Sequence, residues 1–173
     1  MSDFSRSGRL PNPIFRNGGS VLPIWLPCDA LTGKEARQTL NIGFIAHDAK
    51  KKLMQNCCIA YRQILSRHDL YATGTTGRLI QEASGLPVHK FLEGHVGGEQ
   101  QMSTMVEQNL LDLVLFFRDP ENTASTKSEL SDLTKVIRMC DLHNVPLATN
   151  IATAEILLRS LERGDLDWRE MYH

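Results

Sequence analysis

The sequence predicts a doubly wound α/β domain: a mainly parallel five-stranded sheet with helices on both faces. Short runs rich in β-branched and aromatic residues alternate with longer segments whose apolar residues recur at helical spacing. Each strand is separated from the next by enough chain for a crossover helix, and such crossovers are right-handed. The 173 residues, 42% of them apolar, are sufficient to bury a sizeable core.

The elements follow in order along the chain. Strands are predicted near residues 42–46, 69–72, 88–92, 112–117 and 145–149. Helical spacing appears after the first strand at Leu53, Cys57, Ala60 and Ile64, and after the fourth at Leu130, Leu133, Ile137 and Cys140. A last helix is predicted from about Thr153 to Leu161, with Gly164 as its C-cap.

Residues 1–40 differ from the rest, because they are rich in Gly and Pro and lack periodicity. They predict an irregular N-terminal extension ahead of one α/β domain over residues 41–173. Ile24, Trp25 and Leu26 form its apolar cluster, which we expect to pack on the domain or on a neighbouring subunit. The alternative is a disordered extension.

Charge and cysteine content exclude several classes of protein. Nineteen Lys and Arg against twenty Asp and Glu leave a net charge of -1, too little to attract nucleic acid or an anionic membrane. The most apolar run, 110–117, is too short to span a membrane, and the proline-containing segment 21–28 makes a poor signal peptide. Four cysteines without a CxxC pair indicate reduced thiols, no zinc site and a cytoplasmic protein.

The turn after the second strand reads Thr-Gly-Thr-Thr-Gly over residues 73–77. Gly permits close backbone approach, the hydroxyls are donors, and the following helix offers unpaired N–H groups, so the turn is suited to a phosphate. Its spacing matches neither GxGxxG, the motif of dinucleotide-binding loops, nor GxxxxGK(S/T), the motif of nucleoside-triphosphate-binding loops. The alternative is a tight strand-to-helix turn with a Thr N-cap. Lys51 is a candidate cation for the phosphate, or simply part of the solvated run 50–52.

Two carboxylates follow the later strands. Glu99 comes directly after Gly97 and Gly98 at the expected start of a helix, where it is either a helix N-terminal stabiliser or a base directed into the ligand crevice. Asp119 precedes Pro120 and either faces the same crevice or closes a turn.

Five motifs in order resemble the methylglyoxal synthase family over about residues 41–162: HDxxK, LYATGTTG, GGxQQ, FFRDP and VPLATNIATA. The family is similar to the ligand-binding domain of carbamoyl-phosphate synthetase. The resemblance implies a compact doubly wound fold and a lyase that converts dihydroxyacetone phosphate to methylglyoxal and inorganic phosphate. It also implies no cofactor or metal, no nucleic-acid or membrane partner, and a cytoplasmic homohexamer.

The resemblance also assigns roles to residues. It gives Glu99 as the catalytic base, with His47 and Asp48 beside it as catalytic residues. The substrate and phosphate contacts that it implies are Lys51, Thr73, Gly74, Thr75, Thr76, Glu93, Gly94 and Thr126. His95, Asp119 and Glu129 are possible helpers.

Several of these positions depart from the family pattern. Glu99 stands where the family has Asp, and one added methylene moves the carboxylate by about 1 Å, a misplacement that can cost about 10²-fold in rate. Glu93 replaces a Ser, and its charge at about 5 Å from a phosphate would be repelled by about 3 kcal/mol at an effective dielectric of 20. Thr126 and Glu129 replace a His and an Asp; His95 is a possible substitute for that His.

The leading hypothesis is therefore an elimination in which Glu99 removes a proton, His47 stabilises the enediolate, and the Thr-rich turn with Lys51 holds the departing phosphate. Asp48 would orient Lys51 or contact another subunit. One alternative is a regulatory module that binds a phosphorylated metabolite and has lost catalysis. Another is a scaffold that acts through residues 1–40.

Overall fold

The computed structural model of the chain describes residues 39–121 and 127–172. Five strands form one sheet in the order β3-β2-β1-β4-β5, and every neighbouring pair is parallel. The strands are β1 Asn41–Ala46, β2 Asp69–Ala72, β3 His89–Lys90, β4 Leu113–Phe117 and β5 Leu147–Ala148. The predicted fold class is confirmed, with a sheet that is parallel throughout rather than mainly so.

The helices cover both faces of the sheet. They are α1 Lys51–Ala60, α2 Arg62–Leu65, α3 Gly74–Ser84, α4 Gly98–Glu107, α5 Lys127–Leu142 and α6 Ile151–Arg163, and short 3-10 segments lie at Asp48–Lys50, Gly94–Val96 and Asp167–Tyr172. One buried cluster contains residues of α1, α2, α3 and α6, and the second contains residues of α4 and α5. Because successive strand side chains point to opposite faces, Phe44 enters the first cluster and Ile45 the second.

The helix α6 is about two residues longer at each end than predicted. Asn150 caps its start by accepting the Thr153 amide at 3.0 Å, and Gly164 ends it in the left-handed conformation with φ +83°. The expected C-cap is thus confirmed.

The predicted buried stripe of α1 is wrong in part. Cys57 is buried as expected, but Leu53 is 36% exposed and Ala60 is also exposed, while Met54 and Cys58 fill the core instead. The buried face is rotated by about one residue from the predicted one, because Met54 and Leu65 rather than Leu53 and Ile64 are fully buried. Leu53 and Met54 are adjacent apolar residues, so the local periodicity does not decide between the two faces.

The edge strands β3 and β5 are both shorter than predicted. The Leu92 amide donates to the Gln101 side chain at 2.8 Å, so the chain leaves the ladder after β3. Before β5, the Val145 amide donates to the Cys140 carbonyl at 2.9 Å and Pro146 has no amide to donate. Both edge strands are consequently two residues long.

The predicted extension 1–40 lies outside the described residues except for its last two, and so does its apolar cluster. Leu40 is buried in the core. Among the described residues, no helix is both long and apolar enough to cross a membrane.

Candidate active site

The turn between β2 and α3 presents backbone amides at the carboxyl edge of the sheet. Thr73 has extended geometry at the N-cap, and no described side chain caps the helix; instead the hydroxyls of Thr73 and Thr76 lie 3.3 Å apart, both buried. The Gly74 amide donates to the Leu92 carbonyl at 2.9 Å. Helix geometry leaves the amides of Thr75 and Thr76 without an intrahelical acceptor, so these groups and the helix dipole suit an anion.

The starts of two helices meet on one carbonyl oxygen, that of Leu92. Gly74, the first residue of α3, donates its amide to it, and a Cβ on Gly98, the first residue of α4, would overlap it. A Cβ on Gly74 would in turn lie 2.9 Å from the Phe91 carbonyl oxygen. Gly97 before α4 has φ +107°, a conformation that favours glycine. Both glycines at the helix starts are therefore required by close backbone approach.

Glu99, the second residue of α4, is half-buried at this edge. Its Oε1 lies 3.2 Å from the position that a Cβ on Gly94 would occupy, so the carboxylate lies against the glycine that follows β3. The carboxylate also interacts favourably with the positive end of α4. Both interpretations made from the sequence, a helix stabiliser and a base in the crevice, are compatible with this position.

His47 follows β1 and is fixed by the backbone of the loop after β4. Its Nδ1 accepts the Asp119 amide at 3.0 Å, and its own amide donates to the Phe117 carbonyl at 3.1 Å. Because Nδ1 is an acceptor, the proton of a neutral imidazole resides on Nε2, which is then a donor. The Asp119 carboxylate accepts the Glu121 amide at 3.3 Å, so Asp119 both closes a turn and orients His47.

Lys51 is the first residue of α1, the helix that packs beside α3. Its Nζ pairs with the Asp48 carboxylate at 2.5 Å; the Lys51 side chain is 21% exposed and that of Asp48 is 94% exposed. The side chain of Gln55, one turn further along α1, donates to the Leu79 carbonyl of α3 at 3.2 Å. The two helices thus lie side by side, with their first residues at the same edge of the sheet.

The structure brings most of the predicted site residues to one edge. These are His47, Asp48, Lys51, Thr73, Gly74, Thr75, Thr76, Glu93, Gly94, Glu99 and Asp119. Glu93 is exposed, and its carbonyl accepts the Gly98 amide at 3.0 Å, so this residue contributes backbone to the loop while its side chain lies at the surface. Thr126 and the side chains of His95 and Glu129 lie outside what the structure describes.

Sequence reasoning missed Leu92. Its peptide group joins the phosphate turn to the loop before α4, yet the residue acts through main-chain atoms. No side-chain signal marks such a position. The glycines at 74 and 98 were the indirect signal, because they permit the close approach to Leu92.

The described thiols are not candidates for catalysis. Burial raises the pKa of Cys57 to about 11, with a smaller contribution from Glu155, and burial raises the pKa of Cys140 to about 12. Both thiols are protonated near neutral pH and lack nucleophilic character. Across residues 39–121 and 127–172, no group of three His, Cys, Asp or Glu side chains is arranged to hold a metal ion.

The fold and this edge define an open α/β ligand-binding domain in which the strand order reverses next to β1, the position where such sheets bind small molecules. Residues 55–149 match the MGS-like domain family. The chain is 56% identical over 132 residues to the methylglyoxal synthase of Caldicellulosiruptor saccharolyticus, covering 76% of this chain and 92% of that protein. It is 52% identical over 132 residues to the enzyme of Listeria welshimeri, covering 76% of this chain and 96% of the relative.

A solved structure gives the same result. The methylglyoxal synthase of Elizabethkingia anophelis matches with a TM-score of 0.62 and 35% identity, over 69% of this chain and 77% of that one. The chain belongs to the methylglyoxal synthase family. The family and the synthase function predicted from the sequence motifs are thereby confirmed.

Proposed function

We propose that the protein converts dihydroxyacetone phosphate to methylglyoxal and inorganic phosphate at the carboxyl edge of its sheet. The observation that carries this proposal is the position of the Glu99 carboxylate, against Gly94 in the loop whose backbone also receives the Gly74 amide of the phosphate turn. A base and an anion site are thus separated by one short loop, as a small phosphoester requires. The family relatives support the same reaction.

The substrate's phosphoryl group binds at the start of α3. The amides of Thr75 and Thr76 and the helix dipole face it, and Lys51 supplies the cation. Asp48 holds the Lys51 ammonium by its ion pair at the outer side of the site. Because Asp48 is almost fully exposed, it adjusts readily when a phosphate competes for Lys51.

Glu99 then removes a proton from the hydroxymethyl carbon beside the substrate carbonyl. The negative charge that develops on the carbonyl oxygen is stabilised by the Nε2 proton of His47, which the Asp119 amide places on that nitrogen by occupying Nδ1. One donor of this kind is commonly worth about 10² to 10³ in rate.

The former hydroxymethyl oxygen of the enediolate first gives its proton to the former carbonyl oxygen. Electrons from the deprotonated oxygen then form an aldehyde, the carbon–carbon double bond shifts towards the phosphate-bearing carbon, and the carbon–oxygen bond to the phosphate breaks. The bonding electrons leave with the phosphate at the start of α3, and the phosphate takes the proton held by Glu99, which restores the base. The carbon skeleton is now the enol of methylglyoxal, and its enol proton moves from oxygen to the methylene carbon to give methylglyoxal. The net reaction consumes no water and needs no redox partner.

The direct test is to incubate the purified protein with dihydroxyacetone phosphate and to measure methylglyoxal and inorganic phosphate. We expect both products in equal amounts, and a loss of about 10² to 10⁴ in kcat for Glu99→Gln, because general-base catalysis contributes an effect of this size. Glu107→Gln changes an exposed carboxylate at the other end of α4 and is the matched control. It should retain the activity of the parent protein.

Absence of both products from the parent protein would reject the enzyme. If calorimetry under those conditions showed tight binding of a phosphorylated triose that Thr75→Ala abolished, the chain would instead be a regulatory phosphometabolite-binding module. Activity of Glu99→Gln equal to that of Glu107→Gln would reject Glu99 as the base.

A further inference from the structure

We propose that Gln101 is a positioning residue that fixes the phosphate turn relative to the catalytic carboxylate. The inference rests on the proposed function, because it holds that Gln101 sets the distance between the base Glu99 and the phosphate-binding amides of α3. Its side chain does not touch the substrate. It acts through the peptide groups of Leu92, which it holds against the start of α4.

Two consecutive hydrogen bonds join Gln101 on α4 to the start of α3 through Leu92. The Gln101 Oε1 accepts the Leu92 amide at 2.8 Å, and the Leu92 carbonyl accepts the Gly74 amide at 2.9 Å. Gln101 lies two residues beyond Glu99 on α4, and Gly74 begins α3. The helix that carries the base is therefore joined to the helix that carries the phosphate amides through a single residue.

The position of Gln101 on α4 explains why it makes this bond. It is the fourth residue of the helix, and helical side chains lean towards the N-terminus of their helix, here towards the loop after β3. The Leu92 amide is beyond the end of the β3 ladder, where no strand neighbour accepts it. The side-chain oxygen Oε1 of Gln101 supplies that acceptor.

Among the described hydrogen bonds, those that the backbone of α4 makes to this loop reach Glu93 and not Leu92. Gly98 lies against the Leu92 carbonyl without donating to it, because its amide donates to Glu93 at 3.0 Å. Leu92 itself has a side chain that is 54% exposed and so gains little from packing. The hydrogen bond from the Leu92 amide to the Gln101 side chain is thus the polar contact by which α4 holds Leu92.

The test compares Gln101→Met, which removes the acceptor while preserving length and helix propensity, with Gln101→Glu, which keeps an acceptor oxygen. Gln100→Met is the matched control, because Gln100 is the same residue type, exposed, on the same turn. Amide hydrogen exchange at Leu92, kcat and KM for dihydroxyacetone phosphate, and calorimetric affinity for inorganic phosphate are measured on the full chain. Gln101→Leu repeats the test if the Met variant unfolds.

We expect Gln101→Met to accelerate exchange at Leu92 by about threefold to tenfold, the effect of one lost hydrogen bond. The kcat should fall by about tenfold, because a displacement well under 1 Å between base and phosphate is sufficient for such a loss. Gln101→Glu should restore kcat while raising KM, since its charge lies near the phosphate. Gln100→Met should change none of these quantities.

Unchanged kcat and KM in Gln101→Met would overturn the proposal, and so would an equal loss of kcat in Gln101→Glu or Gln100→Met. A parent protein without methylglyoxal formation would reject the proposed function only. In that case the phosphate affinity decides: weaker binding in Gln101→Met alone supports the positioning role, and equal binding in all variants contradicts it.

Discussion

The two edges of the sheet use polar groups in opposite ways. At the amino edge, the Arg169 and Asp112 side chains are 0% and 1% exposed. They bind the loops before β4 and β5 and the first residue of β1. At the carboxyl edge, Lys51 and Asp48 also form an ion pair, but the Asp48 side chain is 94% exposed. Charge is thus enclosed at one edge and accessible at the other.

The hydrogen bonds of the amino edge show what enclosure achieves. Arg169 donates to the carbonyls of Leu111 at 3.2 Å and Asn144 at 2.8 Å, and Asp112 accepts the Asn41 amide at 2.8 Å. At the carboxyl edge, the loops are held by backbone bonds such as that of Gly74 to Leu92 and by the side chains of Gln101 and His47. The difference teaches that a buried ion pair holds the loops of the amino edge, whereas the ion pair of the carboxyl edge remains accessible to a ligand.

Arg169→Met sharpens this comparison with the largest expected effect. Removing one partner of a buried ion pair leaves the Asp112 charge enclosed, so the free energy of unfolding should fall by about 3–5 kcal/mol. The KM of the folded protein should not change. Denaturant titration measures the loss, and Arg163→Met, which removes an exposed ion pair with Asp165, is the control that should lose at most about 1 kcal/mol. Equal losses in the two variants would remove the distinction between enclosed and exposed pairs.

Gly74→Ala tests whether the backbone holds the carboxyl edge. The added Cβ would lie 2.9 Å from the Phe91 carbonyl oxygen and would separate the phosphate turn from the loop before α4. We expect kcat/KM to fall by about 10²-fold, as for other displacements near 1 Å. Gly85→Ala, at the other end of α3, is strained by φ +70° and should cost stability without changing kinetics. Steady-state assays measure kcat/KM for both variants. An unchanged kcat/KM in Gly74→Ala would show that activity does not depend on the close approach of Gly74 to the Phe91 carbonyl.

Lys51→Met tests the accessible charge of the carboxyl edge. A charge-assisted hydrogen bond to phosphate should be lost, so KM is expected to rise by about tenfold with a smaller change in kcat. The adjacent Lys52 is exposed, and Lys52→Met should leave KM unaltered. Equal KM values for the two variants would show that Lys51 is only part of a solvated helix face.

The smallest expected effect is on the pH dependence of the free energy of unfolding, and it concerns His68 at the amino edge. The His68 Nδ1 accepts the Leu40 amide at 3.2 Å, and burial, with a smaller contribution from Arg67, lowers the pKa of His68 from its ordinary value of 6.5. The folded state therefore binds fewer protons than the unfolded state, and this contribution is complete above pH 6.5 and is lost as pH falls through the folded pKa.

We expect the free energy of unfolding to decrease below pH 6.5 by less than about 1.4 kcal/mol per pH unit from this group, and His68→Leu to flatten the decrease. Denaturant titrations at several pH values measure the slope. A slope that is identical in the parent protein and in His68→Leu would contradict the assignment to His68.

The sequence predicted the fold because its strands are short apolar runs, as in β1, and its helices have a regular apolar period, as in α6. The buried stripe of α1 was misplaced by about one residue, since the adjacent apolar residues Leu53 and Met54 are compatible with two overlapping helical faces. The 3-10 segment with Arg169 also went unpredicted, because a lone Arg does not reveal that it binds two loops distant in sequence.

The sequence motifs predicted which side chains lie at the carboxyl edge, but not the contacts made by main-chain atoms. Glu99, His47 and Lys51 all lie at the carboxyl edge, as the strand ends indicated. The tautomer of His47 could not be predicted, because it depends on the Asp119 amide, 72 residues away along the chain. The role of Leu92 depends on main-chain geometry, which a sequence specifies only indirectly through its glycines.

One measurement tests most directly the claim that the carboxyl edge performs an elimination: the products formed from dihydroxyacetone phosphate in water enriched in heavy oxygen. Breakage of the carbon–oxygen bond predicts equal amounts of methylglyoxal and inorganic phosphate, with no heavy oxygen in the phosphate. Release of labelled phosphate together with dihydroxyacetone would show hydrolysis at phosphorus and would contradict the account.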